Sequence, residues 1–325
     1  MVRIGIVGSG FMAETHVDAL NRIDQAEIVG IASPNTATTF IDEQDLDAKP
    51  YTSTEKMLDD AALDIVDVCS PTPTHRSVVE AAAARGLDVF CEKPLADTLV
   101  DAQAIADVVD ETGISCMVGH VVCFFQQYEQ IKQVVDNGGI GTPGVARARR
   151  LSEFPAWGHG NWYADRDQSG GALVDFAIHD FYYLRWIFGD IDRVFARSNV
   201  WDHGEHAHAT LRFENGAVGY VEASWGLPEG QGLTSEHEFA GDNGVVEIDR
   251  SAAAVTIRDT DGTKISNPVR ANGYQRQFET FLENRETGIE PPATIEDSIE
   301  ALRISLAAKQ SVETGKPVAI EEVDR

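Results

Sequence analysis

Positive charge is what this chain has least of. Its 325 residues hold 26 Lys and Arg against 53 Asp and Glu, for a formal net charge of −27, and lysine supplies only seven of the cations. The acids are spread along the chain rather than collected in a tail, which excludes a disordered acidic arm. A surface of this sign repels nucleic acid and anionic membranes, so neither is an expected partner. It does suit concentrated salt, where repulsion between exposed charges is screened within a few ångströms. The composition reads as that of a cytoplasmic protein from a halophile, of haloarchaeal kind.

Other absences narrow the class further. Cys69, Cys91, Cys116 and Cys123 form no C-x-x-C pair. They read as small apolar residues in a reducing compartment rather than as a disulfide framework. No apolar run approaches the ~18 residues of a membrane span. Met1 leads straight into a strand pattern, with no secretory signal in view. Internal repeats and low-complexity linkers are lacking too.

What is present is strand–helix alternation. Val2–Gly8, Glu27–Ala32, Asp64–Ser70, Leu87–Glu92 and Ser115–Gly119 read as strands. Ala13–Ile23, Thr54–Asp60, Thr74–Arg85 and Thr98–Thr112 read as helices. That alternation predicts an α/β domain over residues 1–120 with a parallel, doubly wound sheet whose strand C-termini share one ligand-binding edge. Residues 121–325 change character and predict an α+β domain with a large, mostly antiparallel open sheet. Helices are expected at Phe125–Asn137, Ala172–Phe188, Tyr274–Thr287 and Ile295–Thr314, the last two able to pack back on the first domain. Strands are expected at Thr234–Ala240, Gly244–Ile248 and Ala254–Arg258, and a hairpin with a type I′ turn at Asn215-Gly216.

The first strand runs into Gly8-Ser9-Gly10-Phe11-Met12-Ala13, a G-x-G-x-x-A that opens a helix. The first glycine permits the tight turn, the second lets backbone approach a pyrophosphate, and the third small residue lets helix pack on strand. At the end of the second strand, Ser33-Pro34-Asn35-Thr36 stands where a ribose-binding carboxylate would disfavour a 2′-phosphate. The hydroxyls and amide there tip the balance toward NADP, but no neighbouring cation excludes NAD.

Two further clusters carry chemistry. "GLDVFCEKPLA" ends an apolar strand in Glu92, Lys93 and Pro94. A Lys at such an edge can exchange a proton near neutrality once desolvated. Glu92 can hold the ammonium or meet the nicotinamide side of the cofactor, and Pro94 suits a sharp turn. "SGGALVDFAIHDFYYLRW" puts Asp175 and His179 four residues apart on one helix face. The carboxylate can orient the imidazole, which can take a proton. An i,i+4 metal pair would need a third ligand, and none is apparent.

Together the G-x-G-x-x-A, "SPTPTH" (Ser70–His75), "EKPLA", "GGALVDFAIHD" and the ending "IEDSIEALRISLAAKQSVETGKPV" resemble the glucose-fructose oxidoreductase / inositol dehydrogenase / rhizopine-catabolism family, usually called Gfo/Idh/MocA. The resemblance spans nearly the whole chain. It implies a Rossmann domain, a C-terminal domain whose open sheet pairs copies into a homodimer or homotetramer, and reversible hydride transfer between a sugar or polyol carbon and NAD(P). It implies Lys93, Asp175 and His179 as the catalytic group. The cofactor-side set becomes Gly8, Gly10, Phe11, Met12, Ser33, Asn35, Ser70, Pro71, Thr72, His75, Glu92, Lys93 and Pro94. The chain departs from the family at Thr72, where an Asn is usual, and at Cys123, where an Arg often precedes the Phe.

On the substrate side, the aromatic loop Pro155–Arg166 offers Trp157, His159, Asn161, Trp162, Tyr163, Asp165 and Arg166. Trp162 and Asp165 are taken as pocket residues, with His120 at a strand end. His203, His206 and His208 lack a completing ligand, so no metal is expected. His16 and His237 read as structural. Two rival functions stay open: a non-catalytic dinucleotide-binding regulator, and a reductase of a non-sugar such as a dihydrodiol.

Overall fold

The computed structural model describes residues 1–156, 159–202, 204–249, 254–268 and 272–323. Two compact units are present. The first is built largely from Met1–Val121 and Asn272–Ile299, the second from Val122–Ala156, Asn161–Ala271 and Glu300–Arg325.

In the first unit the order is β1 (Val2–Val7), α1 (Phe11–Leu20), β2 (Ala26–Ala32), α2 (Ala37–Glu43), β3 (Lys49–Tyr51), α3 (Thr54–Asp60), β4 (Ile65–Val68), α4 (His75–Ala83), β5 (Asp88–Cys91), α5 (Leu99–Thr112) and β6 (Cys116–Val118). The six strands form the expected parallel sheet, ordered β3-β2-β1-β4-β5-β6. Ile4, Ile6, Val66, Val68, Val89 and Phe90 are buried in it. Helix termini follow their local signals: Ser53 caps α3 by accepting from the Lys56 N–H, Thr98 caps α5 through Asp101, and Gly113 ends α5 in the left-handed region.

Register does the positioning. Val7 pairs with Ala32 and with Val68, Val68 with Cys91, and Cys91 with Val118. The first residues beyond the strands therefore stand in one row: Ser33, Gly8, Cys69, Glu92 and Gly119. Each of the last four still donates its N–H to the neighbouring strand's last carbonyl, at 2.8–3.0 Å.

The second unit continues with α6 (Gln126–Asp136), β7 (Pro143–Leu151), the single turn α7 (Arg166–Ser169), α8 (Ile178–Phe188), β8 (Ile191–Trp201), β9 (Gly204–Phe213), β10 (Val218–Ser224), β11 (Thr234–Gly241), β12 (Gly244–Asp249), β13 (Ala254–Asp259) and β14 (Gly262–Ser266). Then α9 (Gly273–Thr287) belongs to the first unit, α10 (Ile295–Thr314) begins there, and β15 (Val318–Ala319) closes the second. The nine strands are ordered β14-β13-β12-β11-β7-β10-β9-β8-β15, antiparallel except for β7 with β10. No helix among the described residues is long and apolar enough to cross a membrane.

Two local expectations are corrected. The β9–β10 hairpin has no type I′ turn, because Asn215 lacks the positive φ that turn requires and Gly216 alone has it, at +89°. Instead the Gly216 N–H bonds to the Phe213 carbonyl and the Phe213 N–H to that of Ala217, a turn closed by a glycine bulge. The helix expected from Ala172 opens as five residues of π-helix, Ala172–Phe176, with the Ala177 N–H reaching back to the Ala172 carbonyl at 2.8 Å.

The second unit's core holds a buried ion pair. Arg150 on β7 clasps Asp180 on α8 with two bonds of 2.8 Å, and His237 on β11 adds a third at 2.8 Å. Burial alone would raise the Asp180 pKa, but Arg150 and His237 overcome it and hold it below the usual carboxylate range. A depressed pKa contributes stability that is present above the unfolded value of ~3.9 and lost as pH falls through the folded value. Asp180→Ala should therefore cost about 3–5 kcal/mol, because it strands a buried guanidinium. It should also flatten the acid limb of stability; denaturant melts across pH check both.

Candidate active site

Candidate residues lie in each unit. In the first, Gly8 has φ +116°, and a Cβ there would lie 2.6 Å from the Cys69 carbonyl oxygen, so only glycine fits between β1 and β4. Gly10 precedes α1 with no side chain capping the helix and with open space where a Cβ would sit. A helix start beside an open backbone suits a pyrophosphate. Phe11 is exposed and Met12 half-buried at the start of α1.

Beyond β2, Ser33 and Thr36 meet Ser9 of the glycine loop in a ring of hydroxyls, at 3.0 Å from Ser9 to Ser33, 2.6 Å from Ser9 to Thr36 and 2.7 Å from Ser33 to Thr36. Asn35 is exposed beside them. Ser9 was not singled out by the sequence, because the x of G-x-G carries no pattern of its own. Beyond β4, Pro71 is exposed, Thr72 is buried, and Ser70 bonds Thr74 through their hydroxyls at 2.7 Å.

Beyond β5, Lys93 is half-buried and is followed by a cis peptide to the buried Pro94. The Glu92 carboxylate makes two bonds that the sequence did not point to. One oxygen accepts from His16 at 3.1 Å and the other from the Lys93 backbone N–H at 3.1 Å. Burial leaves it only 5% exposed. His75 is buried as well, its ring nitrogens 3.0 Å from the Pro94 carbonyl and 2.8 Å from that of Ser70, and burial pulls its pKa down. A neutral ring has one N–H, so it bonds one of these carbonyls and packs against the other, between the turn after β4 and the turn after β5. Burial, together with the Lys93 charge, lowers the His120 pKa to about 3, so that ring is neutral.

In the second unit Asp175 lies in the π-helical turn and His179 in the first turn of α8. Single π turns are frequent at functional sites. Glu205 on β9 holds the turn's start by accepting from the Ala172 N–H at 2.9 Å. Asp175 is buried and His179 half-buried, with its Nδ1 inside. A pocket of about 380 Å³ in this unit is lined by Phe154, Tyr163, Arg166, Trp201, Asp202 and Trp225 among others. Trp162 and Asp165 are not in that lining. Trp162 packs on Tyr163 with ring centroids 4.5 Å apart, and the exposed Asp165 accepts from Gln168 at 2.6 Å. Trp157, His203 and the side chains of His159 and Asn161 lie outside the described residues. His206 lies 3.9 Å from Glu222, and His208 stacks on Tyr220.

Among the described residues, the metal-ligating types gathered closest are His16, Asp67 and Cys69. Hydrogen bonds among them use the lone pairs a cation would need. Burial and Asp67 also push the Cys69 thiol far up, keeping its proton.

A parallel sheet of this order with an open glycine-rich loop on its first helix defines a dinucleotide-binding oxidoreductase. Residues 2–120 match the oxidoreductase family with NAD-binding Rossmann fold, and residues 128–247 match the GFO/IDH/MocA C-terminal domain. The chain is 30% identical to myo-inositol 2-dehydrogenase of Thermotoga maritima, over 99% of each chain. It is 28% identical to D-xylose 1-dehydrogenase (NADP(+)) 2 of Haloferax volcanii, over 98% of this chain and 99% of that one. The crystal structure of a probable dehydrogenase from Thermotoga maritima superposes with a TM-score of 0.84 at 28% identity, covering 99% of this chain and all of that one. The chain belongs to the GFO/IDH/MocA oxidoreductase family.

Gly8→Ala tests the loop. It forces a Cβ against backbone at 2.6 Å and at positive φ. It should weaken NAD(P)H binding at least about tenfold, read by cofactor fluorescence, with some loss of thermal stability.

Proposed function

We propose that the protein is an NAD(P)-dependent dehydrogenase that moves hydride reversibly between a hydroxyl-bearing carbon of a sugar or polyol and the nicotinamide. One observation carries this reading: the row of strand ends in the first unit runs from Gly8 of the dinucleotide loop to Glu92, and Lys93 follows directly. When bound, the nicotinamide accepts or returns the hydride. The residues proposed to hold the cofactor are those of the Gly8–Met12 loop, Ser33 and Asn35, the Ser70–Thr72 turn with His75 behind it, and the Glu92–Pro94 turn. Ser33 and Thr36 after β2, joined by Ser9 of the glycine loop, put three hydroxyls where a carboxylate would exclude a 2′-phosphate, which favours NADP over NAD.

In the proposed reaction Lys93 donates to the hydroxyl oxygen and stabilises the alkoxide that develops there. His179, oriented by Asp175, takes the hydroxyl proton. A charged donor aimed at an oxyanion lowers a barrier by about 3–4 kcal/mol. His120, being neutral, can accept or donate one hydrogen bond to substrate, and Trp162 and Asp165 are proposed as further substrate contacts. Lys93→Met and His179→Ala should each lower kcat by at least about 100-fold with NAD(P)H still bound. A screen of aldoses, inositols and sugar acids with NADP+ and NAD+ identifies the substrate and the preferred cofactor. Cofactor binding with no turnover anywhere in the screen would favour the regulator instead.

The acid surplus supports a cytoplasm of high salt, and the four free cysteines suit a reducing one. The face of the nine-stranded sheet that carries Arg147, Arg149, Tyr220, Glu222 and Glu238 is proposed to pair copies of the chain. Thermal melts and light scattering across KCl concentration check both ideas. Stability should rise steeply into molar salt, and the particle should be a dimer or tetramer there. A salt-indifferent monomer refutes both.

A further inference from the structure

Asp67 and Glu92 are carboxylates removed from water, 0% and 5% exposed, on adjacent parallel strands. Between them lies His16, wholly buried on α1, six residues past Gly10. Its Nδ1 is 3.0 Å from both Asp67 oxygens, and its Nε2 is 3.1 Å from Glu92 Oε1. Carboxylates only accept, so both ring nitrogens must donate and the ring is an imidazolium. Burial works against that charge, but the Asp67 carboxylate outweighs it, and the pKa is raised well above 6.5.

The ring has no freedom to turn. Phe90 and Phe278 meet it edge-on, at 5.5 and 4.9 Å between centroids, and Tyr274 stands at 6.4 Å. Glu92 has little freedom either, since a Cβ on Gly119 would already lie 2.6 Å from its Oε1. The other Glu92 oxygen accepts from the Lys93 N–H at 3.1 Å. On the far side of Lys93, the His75 Nδ1 lies 3.0 Å from the Pro94 carbonyl. Lys93 is thus set between two residues that each lie against a histidine.

We propose that His16 is a positioning residue for the reaction: bonded between Asp67 and Glu92, it locks the turn that carries Lys93 to the helix that opens on the dinucleotide loop. This rests on the reading of Lys93 as the group that meets the substrate hydroxyl. The groups facing His16 are Asp67 and Cys69 from the β4 side, Glu92 from β5, and Tyr274 with Phe278 from α9. His16 is the group that reaches both carboxylates. Because its folded pKa is raised, the bridge is complete below about 6.5 and breaks as pH rises through the folded value. Turnover should fall on the same alkaline limb.

The test uses His16→Gln and Gly119→Ala, the second displacing Glu92 without touching the ring, beside Lys93→Met. The substrate is myo-inositol or D-xylose, whichever the wild type oxidises. Both variants should lose about 100-fold in kcat, the cost of misplacing a reacting group by an ångström, and Gly119→Ala should leave the KM for cofactor little changed. His16→Gln should also lose the wild-type alkaline limb. Normal turnover in these two variants beside an inactive Lys93→Met overturns the clamp alone. Normal turnover in Lys93→Met overturns the reading beneath it. If a variant does not fold, 15N spectra of the wild type decide: the His16 ring should be doubly protonated at neutral pH and lose its second proton along the alkaline limb. A neutral ring at neutral pH overturns the proposal.

Discussion

Two acids in a place without water need a cation, and in the first unit that requirement reaches further than any single contact. All four residues of β4 are buried, and Asp67 is the third of them. The next strand ends in Glu92, equally out of solvent. Left unpaired, either would cost several kcal/mol and would take up a proton instead. The imidazolium of His16 meets both. Because it comes from α1, satisfying the acids also fixes how α1 is rotated on the sheet, and so where the first-turn N–H groups past Gly10 point. The loop that suits phosphate and the turn that carries Lys93 are set by one ring.

The second unit meets the same difficulty differently. Asp180 is buried with Arg150 and His237 around it, and here the histidine's pKa falls. Burial is the main cause, and the guanidinium beside it adds to the effect. Arg150 already supplies the positive charge, so His237 needs only one N–H to serve Asp180. Among the described residues of the first unit, the cation bonded to these acids is the histidine, so it must carry the charge. Two buried histidines, each bonded to a buried Asp, are therefore pushed to opposite protonation states by whether a guanidinium is present. The one that holds a titratable charge is the one bonded into the turn at Lys93.

Much of this was legible in the sequence where patterns are long. Thr54–Asp60 and Ile295–Thr314 have the bounds their periodicity predicts, and the parallel sheet follows from alternating strands and helices. Short or weakly patterned pieces were not legible. The edge strand β3 has three residues with a proline among them, and α2 and β14 carry mostly polar residues. The π turn was hidden because Asp175 and His179 keep a four-residue spacing in either helix type. His16 passed as structural because one histidine on an apolar helix face usually is. The signal that could have found it was available: an Asp inside "DIVDVCS" and a Glu ending "LDVFCE" put two acids into strands that must be buried. Two such acids call for a cation, and His16 is the one titratable cation on the first helix.

The shortage of lysine gives this arrangement its setting. Most of the cations pair at the surface, as Arg85 does with Glu55 and Asp59, and Arg212 with Asp192. Such exposed pairs contribute little and are screened by salt. Asp67, Glu92 and His16 lie where mobile ions do not reach, so concentrated salt that quiets the −27 surface leaves their mutual attraction nearly intact. Lysine can therefore be sparse over the whole chain without loosening the site. The alignment of Lys93 depends on a buried charge that salt does not screen, while solubility depends on exposed charges that it does.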